Sequence, residues 1–317
     1  QEGFAGRSTA AYAAFDVLNI STITDHNGLS QNTIRCMMQD SRGFMWMGTI
    51  NGLNRYNGKE FMVVQPRLGT SHALSDSRIR SIAEDKDGYI WIRTFSNTLL
   101  CYDSKLETVV DYAPQNTQKI FTQLMVASNG DVWIWGDKGC CRVRHNDGKL
   151  EAWTPAHAKL AGRPVSFIFE DSEHRIWVGG EKELFMVAHD KVNSMQEGTT
   201  FFSAQEAEDL YFVAGDCIVV FDKQRKCFQP AVLFAKKEKM SHARSCLLDN
   251  GLLLIATNGD MYAYDTDTKA LVSAGKFFQG NNLRNANFYT DNKGHVWVYN
   301  MSGTLWRHRP DNLFEPL

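Results

Sequence analysis

The sequence predicts an all-β fold, a seven-bladed β-propeller of four-stranded antiparallel blades. Three observations carry that expectation. A motif of forty-odd residues recurs seven times along the 317-residue chain, each copy centred on one bulky residue: Trp46, Trp91, Trp133, Trp177, Tyr211, Leu254 and Trp297. The spacings between these markers are 45, 42, 44, 34, 43 and 43 residues, the period of a propeller blade. Between the strand-like runs lies no helical pattern of about 10–15 residues, which sets aside the βαβ units of a parallel sheet.

The elements follow in order. Residues 1–14, where Gly, Ser and Ala dominate, read as a leader strand or a disordered segment, and residues 15–317 as a single propeller. Phe15-Asp-Val-Leu-Asn-Ile20 is strand-like without a hairpin partner, so it is expected to close the ring as the outer strand of the last blade, beside Thr304–His308. Asn312–Leu317 offers the competing closure. In blade one the alternating run from Ile34 ends at Asp40, and Asp40-x-x-Gly43 supplies the turn, because Asp bonds its own backbone and Gly takes a positive φ. A Trp46-centred strand follows, then a third strand from Gly52 to Tyr56, with Asn57-Gly58 reading as a tight hairpin into Phe61–Val64.

Blade two repeats the pattern through Ile79, Asp85, Gly88 and Trp91, and blade seven through Asp291, Gly294 and Trp297. Blade three replaces the Asp turn with Ser128-Asn-Gly130, blade four carries His174 where Gly is expected, and blade six is aligned on Asp249-Asn-Gly251. Blade five departs most, lacking the Asp-x-x-Gly turn altogether. Sheets packed face to face bury both faces, so the marker aromatics belong to the core. Trp135 and Trp153 lie off the marker position and are expected to be freer to stack.

Composition bounds the function. Lys plus Arg number 34 against 36 Asp plus Glu, a formal net charge of −2 that argues against a dedicated nucleic-acid binder. No apolar run approaches the roughly 18 residues of a membrane helix. The chain opens on Gln1, as a processed or excised segment does. Its seven cysteines form no C-x-x-C pair and mostly sit inside apolar runs, where Cys acts as a small hydrophobe. The nine histidines make neither H-x-H nor H-E-x-x-H, so neither a metal nor another cofactor is expected. Gly-x-Ser-x-Gly and phosphate-loop motifs are missing too, and no catalytic residue is assigned. Glu84-Asp85 and Glu170-Asp171 could imitate a glycosidase pair, yet each lies at a turn whose chemistry explains the Asp.

One pattern points to binding. Counting five residues back from the turn places Arg35, Arg80 and Arg244 at the start of the innermost strand in three blades, at the rim where entry loops converge. Guanidiniums gathered there would form a cationic mouth able to grip carboxylate or sulfate forkwise. Asn32, Arg78, Gln118, Arg163, Arg284 and Asn285 would add donors suited to sugar hydroxyls. The competing reading is that the arginines pair with carboxylates of adjacent blades, such as Glu84 or Glu170, and tie sheets together.

The words Gly28-Leu29-Ser30-Gln-Asn32-Thr-Ile34, Asp40-Ser-Arg-Gly43-Phe-Met-Trp46-Met-Gly48-Thr49 and Asn51-Gly52-Leu53-Asn-Arg-Tyr56 closely resemble the two-component regulator propeller repeat of Bacteroides-type bacteria. The resemblance covers about residues 15–309. It implies the periplasmic sensor region of a hybrid two-component system whose parent is a histidine kinase anchored in the inner membrane. Such a region detects an oligosaccharide released from a polysaccharide. In the parent, a second propeller and further domains follow and the receptor works as a homodimer, while this segment neither phosphorylates nor binds nucleic acid. A propeller lyase or hydrolase and a protein-docking scaffold are the alternative functions.

Overall fold

The computed structural model describes residues 33–57, 60–64, 74, 76–112, 121–146, 149–153, 160, 162–234, 240–258, 260–273, 285–300, 305–308 and 314–315. These form seven sheets and, among the described residues, no helix. One compact unit spans Asp25–Phe201; the other runs from Phe202 to Leu317.

In the first unit, β1 (Ile34–Gln39), β2 (Met45–Thr49), β3 (Gly52–Tyr56) and β4 (Phe61–Val64) form an antiparallel meander. Three more follow: β5 (Ile79–Glu84), β6 (Ile90–Thr94), β7 (Leu99–Asp103) and β8 (Thr108–Asp111); β9 (Gln123–Val126), β10 (Val132–Gly136), β11 (Gly139–Asn146) and β12 (Lys149–Trp153); β13 (Val165–Glu170), β14 (Ile176–Gly180), β15 (Glu183–Ala188) and β16 (Lys191–Glu197). The second unit holds β17 (Phe201–Glu206), β18 (Leu210–Ala214), β19 (Cys217–Asp222), β20 (Cys227–Phe228) and β21 (Val232–Leu233); β22 (Arg244–Leu247), β23 (Leu252–Ala256), β24 (Met261–Asp265) and β25 (Leu271–Ser273); and β26 (Asn287–Thr290), β27 (Val296–Tyr299), β28 (Leu305–His308) and β29 (Phe314–Glu315).

The repeat maps onto one recurring device. In the first sheet Asp40 Oδ1 accepts the backbone N–H of Arg42 at 2.9 Å and of Phe44 at 3.0 Å, and Oδ2 accepts Trp46 Nε1 at 2.9 Å. Asp85, Asp171 and Asp291 make the same three bonds, the last to Trp91, Trp177 and Trp297. A single carboxylate thus closes the turn and satisfies a buried indole donor. The turn needs a positive φ three residues on, supplied by Gly43 at 90° and, where the fourth sheet has no Gly, by His174 at 61°. The sixth sheet loses both partners together: Leu248 takes the Asp position, donating its N–H to the Leu252 carbonyl at 2.8 Å, and Leu254 takes the Trp position. Without an indole donor, a buried carboxylate there would lack its stabilising partner.

Successive sheets within each unit pack through apolar faces. Trp91, Leu99 and Phe121 meet Val132, Ile134 and Val143, and Trp133, Trp135 and Cys140 meet Ile168, Ile176 and Val178. In the second unit Val213, Ile218 and Val220 meet Leu253, Ile255 and Tyr264, while Leu254 and Met261 meet Val296 and Val298. The packing fixes residue size two places beyond the marker. A Cβ on Gly179 would lie 1.9 Å from the ring of Phe167, its partner across the ladder, and one on Gly48 would lie 2.4 Å from Cys36. In the second sheet the partner is Ser81, small enough that the matching residue is Arg93, fully buried.

Phe314–Glu315 pairs with Leu305–His308 as the outer strand of the last sheet, within the competing closure Asn312–Leu317, while Phe15–Ile20 and residues 1–14 lie outside the described residues. Asn57 and Glu60 face each other at the β3–β4 hairpin, the Asn57 N–H donating to the Glu60 carbonyl at 3.3 Å and the Glu60 N–H to Asn57 Oδ1 at 2.8 Å; residues 58–59 lie outside the described residues. Trp135 is buried with its Nε1 on the Ser166 carbonyl, so it belongs to the core, and the side chain of Trp153 lies outside the described residues. In the fifth sheet the outer edge splits into β20 and β21 around Pro230, which has no N–H to give the ladder.

Candidate ligand site

The rim position is a structural feature in its own right. The β1–β2 register slips between Ile34 and Cys36, and the β5–β6 register slips between Ile79 and Ser81. Arg35 and Arg80 are therefore the extra residues of two equivalent β-bulges, outside the ladder and re-aimed relative to their neighbours. The fourth sheet repeats the bulge with Ser166.

The bulges bring the two arginines onto one aromatic ring. The guanidinium carbon of Arg80 lies 3.9 Å from the centroid of Phe95, that of Arg35 4.9 Å and that of Arg78 5.7 Å. Phe95 stands in the β6–β7 turn, its N–H donated to the Arg78 carbonyl at 3.0 Å. Buried Arg93 holds that turn from beneath: Nε donates to Phe121 O at 3.0 Å, Nη1 to Asn97 O at 3.1 Å, and Nη2 to Asn97 Oδ1. Asn97 itself has φ 65°, a conformation this clamp secures. The ring quadrupole attracts Arg35 and Arg80, a contribution of about 0.5–2 kcal/mol apiece, while the cations repel one another.

The three rim cations are not equally neutralised. Arg78 forms a two-point pair with Asp76, Nε to Oδ1 at 3.0 Å and Nη2 to Oδ2 at 3.1 Å. Burial would raise the Asp76 carboxyl, but hydrogen bonds from Arg78 and Ser96 outweigh it and hold its pKa below the ordinary value. Among the described residues no carboxylate pairs with Arg35 or Arg80, and the Nε of each is buried without a hydrogen-bond partner. Burial, followed by the charges of Arg35 and Arg78, lowers the pKa of Arg80. Arg93 is pushed down to about 10, chiefly by burial.

The other expected residues fare differently. Glu84 and Glu170 do not receive the rim arginines: Glu84 accepts the Ser41 N–H of the first sheet at 2.8 Å, and Glu170 accepts the Ser128 N–H of the third at 2.8 Å. Arg163 pairs with Glu183 at 3.1 Å. Arg244 is exposed and lies in the other unit, and its expected equivalence is off by one: the turn residue of that sheet is Leu248, not Asp249, so the register equivalent of Arg35 is buried Ala243. Asn285, also in the second unit, donates its N–H to Thr257 O at 3.2 Å. Asn32, Gln118 and Arg284 lie outside the described residues. Phe95 went unnoticed in the sequence; its only signal there is a large aromatic at a turn position where Ile50 and Glu181 stand in other copies.

Catalytic geometry is sparse. A cleft of about 610 Å³ between the third and fourth sheets is lined by Ser128, Glu170, His174 and the Arg142–Asp190 pair. Ser128 Oγ donates to Glu170 Oε1 at 2.6 Å, and both oxygens meet the same nitrogen, His174 Nδ1, at 2.9 and 3.2 Å. A relay needs the two partners on opposite ring nitrogens, so this trio is a turn clamp rather than a nucleophile–base pair. Among the described residues no group of three His, Cys, Asp or Glu side chains is placed to hold a metal.

The family model described as "Two component regulator propeller" matches residues 28–51 and 73–96, the segments that carry Arg35, Arg78, Arg80 and Phe95. Over those two segments the chain is similar to the two-component regulator propeller repeat. Among curated proteins none matches. Solved structures similar to the chain include the extracellular domains of two putative hybrid two-component systems from B. thetaiotaomicron. One is 16% identical over 90% of this chain and 41% of its own, with a TM-score of 0.67; the other is 18% identical over 90% and 39%, with a TM-score of 0.66. Virginiamycin B lyase from Staphylococcus aureus is similar at 14% identity, covering 90% of this chain and 96% of that one, with a TM-score of 0.66. At these identities the likeness establishes the fold, a β-propeller. The chain spans about two fifths of the bacteroidal extracellular domains it matches.

Proposed function

We propose that this chain is an extracytoplasmic ligand-sensing propeller of a hybrid two-component system, detecting an oligosaccharide from polysaccharide breakdown. In this reading the repeats over residues 15–317 form one propeller, the parent protein is anchored in the inner membrane with this part in the periplasm, and a second propeller and downstream domains pass the signal to a histidine kinase. The intact receptor is a homodimer whose geometry shifts when the sensing region is occupied. The chain itself carries out no chemistry.

The observation that carries the proposal is the coincidence of two things. The regulator propeller repeats are the segments that present Arg35, Arg78 and Arg80, and those side chains surround one ring with two of the three charges unmatched among the described residues. Arginine forks over an aromatic face suit a substituted sugar, because they combine hydrogen-bond donors with a stacking surface. Asn32 remains proposed as a further ligand contact at this rim, and Arg244, Arg284 and Asn285 are proposed as ligand contacts of the second unit by itself. Calorimetric titration of the complete sensing region with acidic and neutral glycans tests the proposal. Heat of binding from a glycan supports it; binding of a peptide and of no glycan overturns it in favour of a docking scaffold.

The lyase is the second reading, favoured by the similarity to virginiamycin B lyase. It requires a histidine paired with an acid in relay geometry, and the His174–Glu170–Ser128 trio lacks that geometry. Release of an unsaturated or shortened product by the purified chain would support it.

A further inference from the structure

We propose that Arg35 and Arg80, over Phe95, form a binding site for a single oxyanion, so that the sensed molecule carries a sulfate ester or a carboxylate. This rests on the sensing proposal for its biological meaning, but the site can be tested without it.

The argument begins with charge. Three guanidiniums approach one ring from two adjacent sheets, and the nearby carboxylate of Asp76 spends both oxygens on Arg78 and on the Ser96 N–H. Arg35 and Arg80 are left over the Phe95 ring with no carboxylate paired to either among the described residues, and the charge of Asp76 acts on Arg80 against burial and the repulsion of Arg35 and Arg78. Folding has placed like charges together at a cost that the ring and Asp76 offset only in part. Hydrogen bonding tells the same story, since the Nε of Arg35 and the Nε of Arg80 are hidden from water and have no acceptor. Buried donors are almost always satisfied, and an exception marks either strain or a missing partner.

The placement is also built rather than incidental. Each arginine is the extra residue of a bulge, and the bulge keeps its place in the fourth sheet with Ser166, where no cation is present. The backbone feature therefore belongs to the fold, while the arginines belong to this edge of it. Phe95 is fixed independently by the Arg93 clamp and by its own N–H on Arg78. A site whose parts are held before the ligand arrives loses little entropy on binding.

An oxyanion seated between the two forks supplies what is missing: acceptors for guanidinium N–H groups and one or two negative charges. Arginine matches both carboxylate and sulfate oxygens in two-point geometry, so the shared chemistry is a planar or tetrahedral oxyanion. A neutral sugar hydroxyl would satisfy the hydrogen bonds without relieving the repulsion. Anionic ligands are therefore favoured over neutral ones of the same size.

The test uses the purified chain at constant ionic strength, with inorganic sulfate as the first probe and chloride as its control. Further arms use a sulfated monosaccharide, glucuronate and glucose. The expected result is saturable binding of sulfate, tighter binding of at least one anionic sugar, and none of glucose. Arg80→Met and Arg35→Met are each expected to weaken sulfate binding at least tenfold. Arg78→Gln, whose charge is already matched by Asp76, is expected to weaken it only two- to threefold. Arg80→Lys keeps the charge and loses the fork, so intermediate binding follows even if the Met variant does not fold. Exposed Arg225→Gln, on the second unit, controls for net charge and is expected to leave binding unchanged. Failure of sulfate and both anionic sugars to bind overturns the site, as does equal loss in all five arginine variants, the Arg225→Gln control included. If glucose or a neutral oligosaccharide binds while every anion fails, the sensing proposal stands and the oxyanion site falls.

Discussion

Trp177 donates its Nε1 proton to Asp171 Oδ2 at 2.8 Å, and both side chains are buried. Sheets one, two and seven repeat the bond, which explains why the sequence repeat conserves a spacing of six residues between an acid and an indole. Removing Asp171 takes the acceptor from the indole, from two turn N–H groups and from Arg175 Nε, which donates to Oδ2 at 2.6 Å. Asp171→Ala is expected to lower the unfolding free energy by about 2–3 kcal/mol, read from the urea midpoint. Leu248→Asp, at the matching site of the sixth sheet, is expected to destabilise rather than help, because Leu254 offers no donor there.

The size rule across the ladder gives a second expectation. Gly179→Ala would drive a Cβ into the Phe167 ring and is expected to cost about 1–3 kcal/mol through overpacking. Phe167→Ala alone leaves a cavity and also destabilises. The double variant is expected to cost less than the two together, since each change relieves the other. Additive losses in chemical denaturation would contradict the packing account.

Thiol chemistry supplies the pH dependence. Burial pushes Cys36 and Cys140 from 9.0 up to about 12, so both stay protonated in the folded chain when the unfolded chain has already lost the proton. Their stabilising contribution is complete below pH 9 and is lost as pH rises towards 12. Each thiol is expected to remove about 1.4 kcal/mol per pH unit across that window. Urea midpoints from pH 8 to 10.5 check the slope, and Cys140→Ala should make it shallower by one thiol's share. In the native chain at neutral pH, exposed Cys227 is expected to be the fast-reacting thiol, with half-buried Cys36 and buried Cys140, Cys217 and Cys246 slow by comparison.

The blades were legible because their chemistry is local. An acid, a Gly and an indole at fixed offsets specify a turn, and the strands on either side have little choice. The sixth copy misled for the same reason: Asp249 looks like the turn acid, yet the backbone turn begins at Leu248, which shifted Arg244 by one place and put it on the wrong register. Of the two closures the sequence offered, Asn312–Leu317 contains the strand that pairs with Leu305–His308, and the choice between them was not legible because Phe314–Glu315 is only two residues long, too short to show a strand period. Arg35 and Arg80 could be singled out from the repeat, but not their convergence on Phe95, which depends on two bulges and on a turn clamped by Arg93 from the neighbouring strand.

The most direct test of the central claim, a propeller that binds a glycan and leaves it intact, is equilibrium dialysis of the purified sensing region against an anionic oligosaccharide, with mass spectrometry of what is recovered. The account expects saturable retention, returned material of unchanged mass, and retention lost in the Arg35→Met and Arg80→Met variants. Recovery of cleaved or unsaturated fragments, or retention indifferent to both arginines, would contradict it.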